Sequence, residues 1–123
     1  MSEKPVAERL QVKKGRRIAV LGAPPGVDRA IGVRDARTEA VNADVALLFV
    51  RDRAHLDADL SGLLAKLQAT AILWLAYPKL TSKLAGDLSR DRIHEIAPSF
   101  GLDTVSQIAI DEDWSALRLK RIA

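Results

Sequence analysis

Hydrophobic positions fall into blocks along this chain, and the blocks differ in kind. Ile18-Ala19-Val20-Leu21, inside a strand expected from Arg16 to Leu21, is apolar at every position. The stretches Asp44 to Val50 and Ala71 to Tyr77 are nearly so. A strand without polar alternation needs cover on both faces, which is the mark of a parallel sheet sandwiched between helices. Between the last two strands, Leu56, Leu60, Leu63, Leu64 and Leu67 recur at helical spacing and form one apolar stripe. Asp52 is placed to cap that helix. Beyond Pro78, Ile93, Ile96, Ala97 and Phe100 make a second stripe, on a helix that Ser89 caps and whose first turn carries Asp91. Pro98 should bend or end it, and Gly101 closes it. Val6 to Val12 reads as one or two helical turns stopped at Lys13-Lys14-Gly15. The signal is weakest from Val27 to Ala43, where a helical turn at Val27–Ile31 and a short edge strand at Val33–Ala36 are expected. Thr104 to Ile110 and Trp114 to Ile122 read as the final strands. Their link, Asp111-Glu112-Asp113, is too short for anything but an antiparallel return.

Strands joined through helices predict a parallel sheet with right-handed crossovers. The fold class is therefore α/β, a single Rossmann-like three-layer domain over residues 1–123. Its sheet is mostly parallel, with an antiparallel C-terminal hairpin strand. Ile18–Leu21, Val45–Val50 and Ala71–Ala76 are expected at its parallel centre.

That order of elements, with Lys14-Gly15 just before the first strand, resembles the class I methyltransferase sheet with parts removed. In that fold the antiparallel last strand inserts beside the penultimate one. Several segments are similar to an uncharacterised bacterial family of small domains of unknown function. They are Val20-Leu21-Gly22-Ala23-Pro24, Leu48-Phe49-Val50-Arg51, Trp74-Leu75-Ala76-Tyr77-Pro78-Lys79, Asp87-Leu88-Ser89-Arg90-Asp91 and Asp111-Glu112-Asp113-Trp114-Ser115-Ala116-Leu117. The last is the most specific. The resemblance implies a fold and brings no activity with it. Tyr77 departs from the pattern, where Trp is expected, and the segment between Gly26 and Asp44 is divergent.

Composition narrows the chemistry. With 48% hydrophobic and 28% charged residues the chain belongs among globular proteins. Five aromatic residues in 123 leave the core to Leu, Ile, Val and Ala. The absence of cysteine excludes disulfides, thiolate zinc sites and thiol catalysis, and suits a reducing, cytoplasmic location. The N-terminal residues lack the apolar core of a signal peptide, and the run Ala69 to Pro78 is far short of a membrane span, so no membrane association is expected. The net charge of +3 invites a nucleic-acid reading. Topology sharpens it: Lys13, Lys14, Arg16 and Arg17 precede the first strand, and Arg118, Lys120 and Arg121 end the last. Both sets fall on the sheet edge opposite Arg51, Lys79 and the Asp111–Asp113 turn. Stacking aromatics and a recognition helix are missing, so nucleic acid is disfavoured.

Ligands of open α/β sheets sit beyond the carboxyl ends of the strands. Two groups of candidates lie there. Gly22-Ala23-Pro24-Pro25-Gly26 occupies the position of a cofactor loop, and Gly22 and Gly26 are its candidate ligand residues. A dinucleotide or S-adenosylmethionine loop supplies backbone N–H groups, and Pro24 and Pro25 have none to offer. Asp35 and Glu39, the candidates for holding a ribose, lie outside any confident strand. Arg51, Lys79 and Asp87, with Lys83 and Arg90 nearby, form the second group, suited to a carboxylate or phosphate. Three adjacent carboxylates at Asp111–Asp113 seldom converge on one cation, so a polar hairpin tip beside Trp114 is the simpler account. Ser115 has no histidine placed to activate it. His55 and His94 lie off the apolar stripes of their helices, and two histidines without cysteine make a transition-metal site improbable.

The expectation is a non-catalytic, methyltransferase-like binding or regulatory module without a cofactor. A protein partner or a second copy is expected on the open face of the C-terminal hairpin. The alternatives are an anion-binding enzyme using the strand ends, and nucleic-acid association through the basic edge.

Overall fold

The most apolar blocks of the chain become three adjacent strands of one five-stranded sheet. The computed structural model describes residues 5–122. Its strands are β1 (Ile18–Leu21), β2 (Val45–Phe49), β3 (Ile72–Pro78), β4 (Leu102–Ala109) and β5 (Trp114–Arg121), in spatial order β1-β2-β3-β5-β4. β1, β2 and β3 are parallel, and β5 runs antiparallel between β3 and β4. The helices are α1 (Val6–Arg9), α2 (Pro25–Ile31), α3 (Arg53–Lys66) and α4 (Arg90–Ile96). This is an α/β fold of Rossmann-like character with an antiparallel C-terminal strand.

The missing polar alternation has its cause here. Every residue of β2 is buried. Ala46, Leu48 and Val50 face Leu56, Leu60 and Leu63 of α3 and Ile93 and Ile96 of α4. Val45, Leu47 and Phe49 face Leu10 beside α1 and Val27 and Ile31 of α2. Trp74 on β3 anchors the α1 end to the sheet, its indole N–H donating to the Leu10 carbonyl at 3.0 Å while the ring is buried.

Caps hold the helices at the expected places. Asp52 Oδ1 accepts from the His55 N–H at 2.8 Å, and Asp87 Oδ1 from the Arg53 N–H at 2.8 Å, so two carboxylates take up the first donors of α3. At its other end Arg121 donates to the Leu64 carbonyl at 2.9 Å, which is cation placement that suits a helix C-terminus. Ser89 Oγ caps α4 through the Arg92 N–H. The helix tightens to a 3-10 turn at Ala97–Phe100, around Pro98, and Gly101 leaves it in the left-handed region at φ +74°.

Two expectations need correction. β1 is not central; it is the edge of the sheet. What covers its first half is the segment that gave the weakest signal. Thr38 donates its N–H to the Ile18 carbonyl at 2.9 Å, and Arg37 makes one parallel bridge to Ile18. Ile18 and Ala19 are therefore buried as deeply as central residues, while Val20 and Leu21 are half-buried. Nor do residues Val33 to Ala36 form an edge strand. Val33 sits at φ +47° and Arg34–Ala36 is a 3-10 turn. The Arg37 guanidinium gathers the Gly32 carbonyl at 2.9 Å and Asp28 Oδ1 at 2.8 Å, which folds the chain back on α2 instead of extending it.

The opposite edge is open. β4 is mostly exposed from Asp103 to Ala109, and its register with β5 shifts between Thr104 and Gln107. Such a bulge on an edge strand disturbs the row of free donors and acceptors that would otherwise recruit another strand.

Candidate functional site

Parallel strands end together, so the carboxyl ends of β1, β2 and β3 meet the start of β5 and the end of β4 on one rim. Pro78 pairs with Trp114 there, and the Lys79 N–H donates to the Asp113 carbonyl at 2.8 Å. Cavities open on this rim on either side of the sheet.

The cavity on the α1/α2 side is about 520 Å³. Phe49 and Trp114 form its aromatic floor, ring centroids 5.1 Å apart and planes at 69°, the edge-to-face geometry that such rings favour. Gly22, Pro24, Arg51, His55 and the exposed Leu84 complete it. From the sequence, His55 lies off the apolar stripe of its helix. It is in fact locked into this wall. The Arg51 N–H donates to Nδ1 at 3.1 Å, which requires that nitrogen to be unprotonated, and Nε2 faces Asp59 Oδ2 at 3.0 Å. The signal that could have found it is position: the third residue after a cap at a strand's carboxyl end points back toward that end.

The cavity on the α3/α4 side is about 580 Å³. Tyr77 and Ser115 face each other across the β3–β5 ladder and form its floor. Both are buried, at 3% and 4% exposure, and neither hydroxyl has a hydrogen-bond partner among the described residues. No buried side-chain polar atom among those residues lacks a partner, so both hydroxyls reach the water of the cavity. Burial pushes the Tyr77 phenol above its ordinary value, with Arg90 opposing and Asp91 adding to the rise. The phenol is a neutral donor at physiological pH. Lys79, Thr81, Arg90 and Gln107 stand around this floor, and no acidic side chain lines it.

The site residues expected from sequence therefore separate. Arg51 and Gly22 belong to one cavity and Lys79 to the other. Asp87 caps α3 and, with Arg53 and Arg92, borders a third, smaller depression. Gly26 lies in the first turn of α2 with open space around it. Lys79 makes no ion pair with Asp87 or Asp52 among the described residues. At the hairpin tip, Asp111 Oδ1 accepts from the Asp113 and Trp114 N–H groups, both at 2.8 Å, and Asp113 Oδ1 accepts from Ser82 Oγ at 2.7 Å. These carboxylates shape the turn. His94 Nδ1 meets Thr104 Oγ1 at 2.6 Å on the surface.

The sheet order, with the last strand β5 inserted between β3 and β4, defines a methyltransferase-like fold, and the solved structures agree. Ribosomal protein L11 methylase from Lactobacillus delbrueckii subsp. bulgaricus superimposes with a TM-score of 0.59 at 12% identity, over 95% of this chain and 75% of that one. The 1,6-didemethyltoxoflavin-N1-methyltransferase of Burkholderia thailandensis gives 0.59 at 11% identity, over 98% and 78%. LepI, solved with S-adenosylmethionine, gives 0.53 at 11% identity, and this chain spans only 39% of its length. The chain itself belongs to DUF3052, a family of proteins of unknown function, whose pattern matches residues 7–122. No curated protein matches it in sequence. No helix among the described residues is long and apolar enough to cross a membrane.

S-adenosylmethionine, which the fold suggests, does not fit the β1–α2 loop. Gly22 is left-handed at φ +76°, and a Cβ there would stand 3.1 Å from the Phe49 carbonyl oxygen. Its missing side chain thus makes room for β2. The next central positions, Pro24 and Pro25, have no N–H, and the Asp28 N–H is spent on the Pro24 carbonyl at 2.8 Å. Asp35 and Glu39 lie in or beside 3-10 turns, away from any strand end.

Proposed function

We propose that this chain is a methyltransferase-like domain that works as a binding or regulatory module and does not transfer methyl groups. One observation carries the reading: the glycine of the cofactor loop is used by the protein's own backbone, and prolines stand where donors are needed. A loop that approaches phosphate or carboxylate oxygens needs bare N–H groups and a free glycine face at the strand end. Pro24 and Pro25 supply no N–H there, the open side of Gly22 is taken up by β2, and Gly26 is free only inside the first turn of α2. The reading takes the chain as one cytoplasmic bacterial domain, supported by the absence of cysteine and by the family segments. Its partner surface is the exposed β4 side of the hairpin, with nucleic acid disfavoured. Calorimetric titration with S-adenosylmethionine, S-adenosylhomocysteine and NAD tests it. No saturable heat is expected; micromolar saturation by any of the three would overturn the proposal.

A further inference from the structure

The cavity on the α3/α4 side holds a combination that the fold has no use for. Polar side chains on the inward face of a strand are ordinarily bonded within the protein, and a hydroxyl left to the water of a cavity can both donate to and accept from a ligand. Here Tyr77 and Ser115, paired residues on adjacent strands, are almost wholly buried as residues, while their hydroxyls are bonded to nothing in the protein and open on the cavity. Ser115 is the one buried polar residue apart from Tyr77 among those described. The strands could have carried Phe and Ala here without loss of any internal bond. Around the hydroxyls stand Lys79, half-buried, and Arg90, exposed, neither of them in an ion pair among the described residues. Thr81 and Gln107 add further donors and acceptors.

We propose that this cavity binds a small phosphorylated polyol of the sugar-phosphate class, with Lys79 and Arg90 on the phosphate and Tyr77, Ser115 and Gln107 on the hydroxyl groups. Two cations unopposed by lining carboxylates select an oxyanion, and a guanidinium suits phosphate oxygens in particular. The floor of hydroxyls, in a lining that holds no aromatic ring besides Tyr77, selects an oxygen-rich body over a nucleobase, which would need a stacking partner. At about 580 Å³ the cavity exceeds what a bare phosphate would fill and lies within the usual range for small-ligand sites. It also lies at the carboxyl ends of β3, where ligands of open α/β sheets collect. The inference rests on the reading of the chain as a binding module, and it uses the other side of the rim from the β1–α2 loop. The two can therefore fail separately.

The test is calorimetry with a hexose 6-phosphate, inorganic phosphate and the uncharged hexose at fixed ionic strength, with amide chemical shifts followed in parallel. The hexose phosphate should saturate, inorganic phosphate should bind more weakly, and the uncharged hexose should give no saturable signal. Shifts should concentrate at residues 77–81 and 115. Lys79→Ala and Arg90→Ala should each weaken the hexose phosphate by about tenfold, the usual scale for losing one charge-assisted contact. Tyr77→Phe should weaken it severalfold while the melting temperature holds. Lys120→Ala, on the opposite edge, should bind as the parent does. Absence of saturation by both phosphates, equal binding of the uncharged hexose, or equal losses in Lys79→Ala and Lys120→Ala would each overturn the proposal. S-adenosylmethionine binding at the other cavity would overturn the proposed function and leave this one standing.

Discussion

Trp114 shows how much a single position does in a chain with few aromatics. It starts β5, pairs with Pro78, packs edge-on against Phe49, and is 4% exposed. Truncating it to Ala should cost about 3–5 kcal/mol, the range for large buried aromatics. Urea unfolding checks this, and a parent-like midpoint would contradict the burial. The sequence made this residue legible because a Trp after a polar turn, at the head of an apolar strand, has few other places to go. His55 was not legible, since its role depends on which way the β2–α3 turn aims the ring. Tyr77 and Ser115 were hidden for another reason: only the β3–β5 pairing brings the two residues into one cavity floor.

At the scale of elements, the segment from Val33 to Ala43 is the informative one. It reads as weak in sequence because its order comes from scattered long-range bonds, the densest of them made by one side chain. Arg37 reaches Asp28, Gly32 and the Asp28 carbonyl, while its own carbonyl accepts from Arg17 at 2.9 Å. Arg37→Ala should destabilise the protein by about 2 kcal/mol, in line with the loss of hydrogen bonds from a charged group, and should speed amide exchange at Thr38 and Ile18. Unchanged exchange there would show that the edge of β1 is covered by something else. Asp28 adds a pH dependence. Its hydrogen bond to Arg37, aided by Arg34, holds its carboxyl below the ordinary carboxylate value. A lowered folded-state value stabilises above the unfolded value and is lost as pH falls through the folded one. Asp28→Asn should therefore be less stable than the parent at pH 7, with the gap closing below about pH 4. A gap independent of pH would show that the ion pair contributes nothing.

At the scale of the molecule, the hairpin returns its end to the edge where the parallel strands begin, so Arg17 and Arg121 lie near one edge and Lys79 and Arg51 near the other. Several basic-edge charges already serve the fold. Arg16 donates to the Gln11 carbonyl at 3.0 Å, Arg17 to that of Arg37, and Arg121 to those of Leu64 and Leu67. Binding of a polyanion such as heparin should accordingly be weak and fall steeply with salt. It should respond to Lys120→Ala and not to Lys79→Ala; the reverse order would place the non-specific surface on the carboxyl rim.

The sequence by itself determined what rests on local chemistry and on burial periodicity. Doubly apolar strands, leucine stripes, the caps at Asp52 and Ser89 and the antiparallel return after Asp111-Glu112-Asp113 all follow from residues close together in the chain. The tertiary structure alone decided what depends on partners far apart. It put β1 at an edge covered by a turn-rich segment, spent Gly22 on the Phe49 carbonyl, sent Arg51 and Lys79 to opposite sides of the sheet, and brought Tyr77 beside Ser115. Burial on both faces looks the same in sequence whether a neighbouring strand or a folded-back loop supplies the cover, and that degeneracy is removed only when the chain closes on itself.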